Sequence, residues 1–329
     1  MTLIMNENYS YTPTGFRGFW VNRFLRLYPS YYFAMALSIA LIVFLPEGLP
    51  KSFNPKLHLP ESTYETFSNF FIWGLVQSVG NTPFKMPVPF FGSVTFPQTN
   101  ALIPPAWALA IELIYYLLIS AWFGRTLLRA SCLFAFGLGW LIWMFLVHGK
   151  YYVYFSPISA ALPFGVGAML YHVLTFERVE AFLERWKVPL LIAVVGIYVG
   201  VVIYGLNTVT IYLGRPFQRM LVISIIASTL LLAVLTRFKG KGRVGRIDSF
   251  LGDLSYPTYL LHWQAGLMIF WLTDSDRRLT FTLYCVALVV VLLLAMIDRQ
   301  FIGKPVNAMR SNVKRKLQER RDKLSTVAD

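Results

Sequence analysis

The feature that most constrains this chain is a series of long apolar blocks separated by short charged segments. Eight blocks have about 17–25 residues, the length that an α-helix needs to cross a bilayer. They lie near 28–45, 103–122, 130–147, 155–174, 188–206, 218–236, 254–272 and 280–302. A soluble domain could not bury this much apolar surface, because 56% of the residues are hydrophobic and only 14% are charged. The sequence therefore predicts an all-α, polytopic bundle of about eight transmembrane helices.

A ninth apolar block, 63–79, is shorter and is interrupted by Ser68, Asn69 and Gln77. The positions of Lys and Arg indicate whether it crosses, because cytoplasmic loops are enriched in these residues. If the block does not cross and the N-terminus is cytoplasmic, 22 of the 30 basic residues face the cytoplasm. If it crosses, the cluster 237–246 and the basic tail face outward. We therefore predict a re-entrant or interfacial helix at the outer face, with both termini cytoplasmic.

The formal net charge of +14 would suggest nucleic-acid binding in a soluble protein. Here the basic residues lie at the ends of predicted spans and in the tail from Lys304 to Lys323, where they orient the spans or contact anionic lipid. We therefore predict membrane lipid as a partner, and no nucleic acid. The predicted organisation is a transmembrane domain at 1–303 followed by a basic cytoplasmic tail at 304–329.

An ionisable group inside a span costs ~2.5–3.5 kcal/mol and usually marks function, and two such side chains stand out in the sequence. Glu112 follows a helix start at Pro105, and Tyr115 lies three residues on, near the same face. His262 shares a helix face with Tyr259. The helical rise puts Glu112 and His262 within ~6 Å of the same depth, so they are expected to line one cavity. The alternatives are a Glu paired with a neighbouring Tyr or Arg, and a His bonded to a backbone carbonyl.

Two further patterns have a functional and a structural interpretation. Arg23 and Arg26 lie one helical turn apart at the predicted inner margin, where two guanidiniums can hold phosphates or simply anchor the span. Gly165, Gly167 and Ala168 would allow close helix approach. The four histidines have no metal-ligand spacing, so we predict no metal site.

Taken together, the order and spacing of these residues resemble the acyltransferase-3 family. The resemblance rests on three motifs and a glycine segment: Arg23-x-x-Arg26-x-x-Pro29, Trp107-Ala-Leu109-x-x-Glu112-x-x-Tyr115, Leu251-Gly-x-Leu-Ser-Tyr256-x-x-Tyr259-Leu-x-His262-Trp263 and Pro163-Phe-Gly165-Val-Gly167. It covers essentially Phe16 to Ile302.

The resemblance implies an inner-membrane O-acyltransferase. Such an enzyme moves an acyl group, commonly acetyl, from cytoplasmic acyl-CoA to a sugar hydroxyl of an exported or cell-surface glycan, glycolipid or other glycoconjugate. Arg23 and Arg26 would then meet the CoA phosphates, whereas Glu112, Tyr115 and His262 would line the acyl-transfer cavity. No permanently bound cofactor is expected, because acyl-CoA, in the first place acetyl-CoA, serves as the donor substrate.

The sequence departs from the family pattern in two places. Ala108 stands where the family usually has Ser. Family members also begin with two further spans, the first of which carries a histidine regarded as catalytic, so we expect that this chain lacks the first two transmembrane helices. One alternative is therefore a catalytically inactive remnant. Another, from a different class, is a transporter or flippase for a lipid-linked sugar, in which Glu112 and His262 would relay protons.

Overall fold

The computed structural model describes residues 1–9, 11–77, 84–88, 92–96, 100–147, 157–208, 215–238, 240, 242–273 and 281–328. After a short helical start at Thr2–Ile4 and Met5–Tyr9, the α-helices are α1 Pro13–Phe44, α2 Leu49–Phe53, α3 Thr63–Phe71, α4 Ala106–Leu118, α5 Leu127–Val147, α6 Ala161–Val173, α7 Glu177–Thr208, α8 Arg215–Leu235, α9 Gly242–Leu272, α10 Phe281–Asp298 and α11 Lys304–Ala328. Two short strands, β1 Phe84–Val88 and β2 Gly92–Phe96, pair with each other.

The prediction of an all-α membrane protein is confirmed. Among the described residues, five helices are long and apolar enough to cross a bilayer: Pro13–Phe44, Ala106–Phe123, Leu127–Leu146, Glu177–Tyr204 and Thr282–Lys316. Two shorter apolar helices, Pro157–Val173 and Met220–Leu235, coincide with two more predicted spans. The eighth predicted span, 254–272, lies within α9. The predicted limits at 78–79, 155–156 and 280 lie outside the described residues, and the count of eight spans stays a prediction.

The chain divides into two compact units. The first comprises Met1–Glu7, Met86–Val94 and Tyr115–Lys241, and the second comprises Asn8–Lys85, Thr95–Ile114 and Gly242–Asp329.

In the first unit, α5 and α6 pack with their backbones in direct contact. A Cβ built on Gly165 would lie 2.6 Å from the backbone nitrogen of Phe134, and one built on Gly137 would overlap the backbone at Leu162. Each of the two helices thus presents one glycine to the backbone of the other, which is the small-residue contact typical of membrane helices. Gly167 has open space around its Cβ direction instead. Of the predicted small residues, Gly165 therefore makes the close approach and Gly167 does not.

In the second unit, α9 runs parallel to α1. The Tyr256 hydroxyl donates to the Leu27 carbonyl at 2.9 Å, and eight residues later Gln264 is hydrogen-bonded to Ser38 at 2.8 Å. Further along, Leu267 packs in an apolar cluster with the end of α1 and with α2. Both helices therefore run in the same direction from N-terminus to C-terminus.

Helix α3 lies against α1 in the opposite direction. Three hydroxyls of α1 donate to carbonyls at the end of α3: Tyr32 to Phe70 (3.3 Å), Tyr31 to Asn69 (2.6 Å) and Tyr28 to Phe71 (2.9 Å). The last carbonyls of a helix have no partner within it, so these hydroxyls satisfy groups that would otherwise be exposed to an apolar environment.

The segment after α3 continues in that direction. Trp73 stacks on Trp20 with ring centroids 6.2 Å apart. Trp20 precedes the end of α1 at Phe44 by roughly 36 Å of helix. With nine residues, α3 is too short to cross a bilayer by itself. The end of this segment therefore lies near the start of α1 and not near Phe44, and the choice between a re-entrant and an interfacial helix stays a prediction.

Candidate active site

Glu112 lies on α4 within the second unit and is half-buried. Helix α4 begins directly after two prolines, whose missing N–H groups cost little at a helix start. The carbonyl of Pro105 accepts a hydrogen bond from the Tyr259 hydroxyl, and Glu112 interacts electrostatically with Tyr256. Helix α9 is therefore a neighbour of α4 in this region.

His262 lies on α9 and is exposed. Its Nδ1 is 2.6 Å from the Tyr259 carbonyl oxygen, and the rings of Tyr259 and Trp263 flank it. A carbonyl oxygen can only accept, so Nδ1 carries the proton of the neutral ring and Nε2 keeps a lone pair. A backbone contact of this kind is expected for a structural histidine, and it also orients a general base.

Glu112 and His262 are associated with different residues of α9. Pro105 is paired with Tyr259, and Glu112 is associated with Tyr256. Glu112 therefore lies on the Tyr256 side of Tyr259 along α9, whereas His262 lies on the other side. Since the polar contact of His262 is with the Tyr259 carbonyl, a cavity shared with Glu112 stays a prediction.

Tyr115 belongs to the first unit, where it is buried. Its hydroxyl donates to the carbonyls of Pro157 (3.1 Å) and Ile158 (3.3 Å), and its ring stacks on Phe164 with centroids 4.6 Å apart. These contacts fasten the start of α6 to α4. The catalytic role predicted for Tyr115 stays a prediction.

Arg23 and Arg26 lie in the first half of α1. Arg23 is 7% exposed, and its guanidinium lies over the Phe19 ring at 5.2 Å, whereas Arg26 is exposed. Burial raises the pKa of Tyr9, which precedes the helix, and the positive charges of Arg23 and Arg310 partly offset that increase. Arg310 of α11 is thus a third cation at this end of α1, and the sequence analysis did not single it out.

Asp298 is a second functional candidate that the sequence analysis missed. It is 1% exposed, and the Ser30 hydroxyl donates to its Oδ2 at 2.9 Å. Its Oδ1 has no hydrogen-bond partner among the described residues. Like Glu112, it interacts electrostatically with Tyr256. Asp298 lies within the predicted span 280–302, so the cost of an ionisable group in a span could have identified it.

The arrangement offers acid–base chemistry and anion binding. Two carboxylates, Glu112 and Asp298, share the neighbourhood of the Tyr256 hydroxyl, and the Nε2 of His262 can accept a proton. The described part of the chain contains no group of three or more His, Cys, Asp or Glu side chains that could hold a metal ion.

Comparison with known protein families identifies a match over most of the chain. A family described as an acyltransferase domain, acyltransferase-3, matches residues 2–297. No curated protein and no solved structure matches the chain. The matched range covers most of the chain and includes Arg23, Glu112 and His262. The chain therefore belongs to the acyltransferase-3 family.

Proposed function

We propose that this protein is a membrane O-acyltransferase of the inner (plasma) membrane, with both termini cytoplasmic. It moves an acyl group, acetyl in the first place, from acyl-CoA to a sugar hydroxyl of an exported or cell-surface glycan or glycoconjugate. Family membership supports acyl transfer. The observation that best supports a reaction site is the half-buried carboxylate of Glu112, which lies near Tyr256 in an apolar helix bundle.

The proposed reaction is a single exchange at the thioester carbon. The sugar hydroxyl oxygen forms a bond to that carbon, the carbon–sulfur bond breaks, and the CoA sulfur leaves as a thiolate that takes up the proton removed from the hydroxyl. The proton of the hydroxyl needs a base, and the developing oxyanion needs a hydrogen-bond donor. The Glu112 carboxylate and the Nε2 of His262 are the groups proposed for the proton.

The donor substrate is proposed to bind with its phosphates at Arg23 and Arg26. A guanidinium presents two parallel N–H donors to phosphate oxygens, which a lysine ammonium cannot do. Arg23 is held in place by Phe19, and Arg26 is open to a ligand. In this proposal, positively charged side chains keep the nucleotide part of acyl-CoA at the cytoplasmic side while the acyl group enters the bundle.

The test is the Glu112→Gln variant of the full chain in purified, reconstituted form. Radiolabelled acetyl-CoA is the donor and purified lipopolysaccharide is the acceptor. Loss of the carboxylate should lower transfer by about 10²–10⁴-fold, the range typical of a general acid or base, while membrane insertion stays intact. Glu47→Gln is the matched control, because Glu47 is exposed beyond the end of α1.

Two results would count against the proposal. Wild-type transfer by Glu112→Gln would remove Glu112 from the mechanism. Proton-coupled flux of a lipid-linked sugar into vesicles, without any acylated product, would favour a transporter instead.

A further inference from the structure

We propose that Arg310, in the C-terminal helix α11, joins Arg23 and Arg26 in holding the phosphate groups of the acyl-CoA donor. This inference rests on the proposed function, because it concerns the same donor site. We call the three residues the arginine cluster. All three belong to the second unit of the chain.

A reciprocal contact between Arg310 and Asn22 docks α11 on α1. The Nε of Arg310 donates to the Asn22 side-chain oxygen at 2.7 Å, and the Asn22 side-chain nitrogen donates to the Arg310 carbonyl at 3.4 Å. Asn22 directly precedes Arg23, and Arg26 lies four residues on, on the same helix face. Arg310 thus contacts α1 at the residue next to Arg23, and the charges of Arg23 and Arg26 both act on it.

The contacts of Arg310 orient its guanidinium without neutralising the charge. Besides Asn22, its Nη1 donates to the Asn307 side-chain oxygen at 2.7 Å. Both acceptors are neutral amides. Within the part of the chain that the structure describes, Nη2 makes no hydrogen bond, so this end of the fork is open to an anion.

The electrostatics of the cluster favour an anionic ligand. The charges of Arg26 and Arg23 both act on Arg310, and like charges held together repel each other. Among the described residues, the carboxylate that also acts on Arg310 is that of Asp253. Asp253 is already paired with Arg299 at 3.2 Å. A ligand with several phosphate charges would relieve this repulsion through charge-assisted hydrogen bonds.

Aromatic rings fix one side of the cluster. The ring of Phe19 lies under the Arg23 guanidinium and packs edge-to-face with Tyr9 at a centroid distance of 5.8 Å. A cation over an aromatic face is stabilised without losing its charge. Arg23 is therefore immobilised, Arg310 is anchored by amides, and exposed Arg26 can close on the ligand.

The experiment measures binding of CoA by the full chain in nanodiscs of zwitterionic lipid, by calorimetry. Arg310→Gln should weaken CoA binding by about tenfold or more, since a hydrogen bond to a charged group is lost. Arg315→Gln is the matched control. It removes the same charge from the same helix, but Arg315 is exposed and forms a long i,i+4 ion pair with Glu319 at 3.8 Å, a kind of pair that contributes little. CoA affinity should be unchanged in this control.

Two further measurements separate ligand binding from helix docking. Pantetheine, which lacks phosphates, should bind Arg310→Gln and wild type equally, whereas a loosened α11 would weaken both ligands. Arg310→Lys keeps the charge but loses the planar fork, so its CoA affinity should lie between those of wild type and Arg310→Gln. A variant in which CoA and pantetheine weaken alike would overturn the inference.

The remaining outcomes distinguish the inference from the function on which it rests. Suppose that wild type binds CoA and that Arg23→Gln weakens this binding. If Arg310→Gln then has the same affinity for CoA as Arg315→Gln, the inference is overturned and the proposed function stands. If wild type does not bind CoA, the proposed donor is wrong. The same variant is also measured in nanodiscs that contain anionic lipid. If Arg310→Gln loses binding of lipid headgroups but keeps its affinity for CoA, the arginine cluster binds lipid phosphates and the proposed donor site is overturned.

Discussion

Buried carboxylates are expensive in an apolar bundle unless hydrogen bonds compensate them, and at Asp298 one oxygen is compensated. Ser30 supplies that hydrogen bond to Oδ2, and Oδ1 has no partner among the described residues. The Ser30 hydroxyl is itself buried, so it has no bulk water to replace this contact. The pair therefore joins α1 to the end of α10 by a hydrogen bond whose loss leaves a polar group unsatisfied.

Ser30→Ala should destabilise the protein by about 1–3 kcal/mol, the cost of leaving a buried polar partner without its hydrogen bond. The measurement is thermal unfolding of the purified protein in detergent. Ser255→Ala is the control, because Ser255 is exposed and its hydroxyl bonds to the Gly252 carbonyl of its own helix. Equal stability of the two variants would show that the Ser30–Asp298 hydrogen bond does not contribute to the free energy of unfolding.

At single residues, the sequence predicted the motif side chains and missed their partners. Glu112 and Arg23 were identified because their residue types and their positions relative to the apolar blocks are unusual. Arg310 was read as one charge among many in a basic tail, since the contact with Asn22 joins two segments far apart in the chain. The residue type shows that a charged group in an apolar bundle is unfavourable, whereas the contacts that stabilise this group are visible only in the structure.

Among the elements, the contact between α5 and α6 depends on positions without a Cβ. Association of membrane helices gains little from the hydrophobic effect, because lipid is as apolar as the helix surface. Close backbone packing therefore supplies much of the attraction, and Gly165 sits where the Phe134 backbone passes.

Gly165→Ala should destabilise the first unit by about 1–3 kcal/mol, because the added carbon meets backbone rather than a flexible side chain. Gly167→Ala is the matched control, two residues away in the same helix with open space around its Cβ direction. This second change should be neutral or stabilising by about 0.5–1 kcal/mol, since Gly is costly inside a helix. Thermal unfolding of both variants checks the difference, and an unaffected Gly165→Ala would rule out the tight contact.

The apolar blocks predicted where helices lie because length and hydropathy are local properties. The sequence did not indicate where the end of 63–79 lies, since that depends on the Trp20–Trp73 contact between two segments. The hairpin β1–β2 was not predicted. Gly165 and Gly167 look alike in sequence, and only packing against α5 separates them.

For the molecule as a whole, the proposed orientation follows from the distribution of charge. The cytoplasmic side of a membrane protein carries the excess of Lys and Arg, and α11 with its basic residues is the most highly charged helix of the second unit. The proposed topology therefore puts α11 inside and the α2 region outside.

Single cysteines test this orientation in a Cys132→Ala, Cys285→Ala background. In intact cells, a membrane-impermeant maleimide should label Ser52→Cys in α2 but not Ser311→Cys in α11, although both native serines are exposed. Permeabilised cells provide the control, in which both sites should react. Labelling of Ser311→Cys in intact cells would reverse the topology.

A helix too short to cross a bilayer commonly takes its depth from the lipid headgroups, but α3 takes its depth from α1. In hydrocarbon no water replaces a broken hydrogen bond to a backbone carbonyl, so the three tyrosine hydroxyls of α1 fix α3 at one level of that helix. A thinner or thicker bilayer should therefore leave α3 unmoved relative to α1. The mismatch is then expected to be met by tilting or kinking of the spans, or by local deformation of the bilayer.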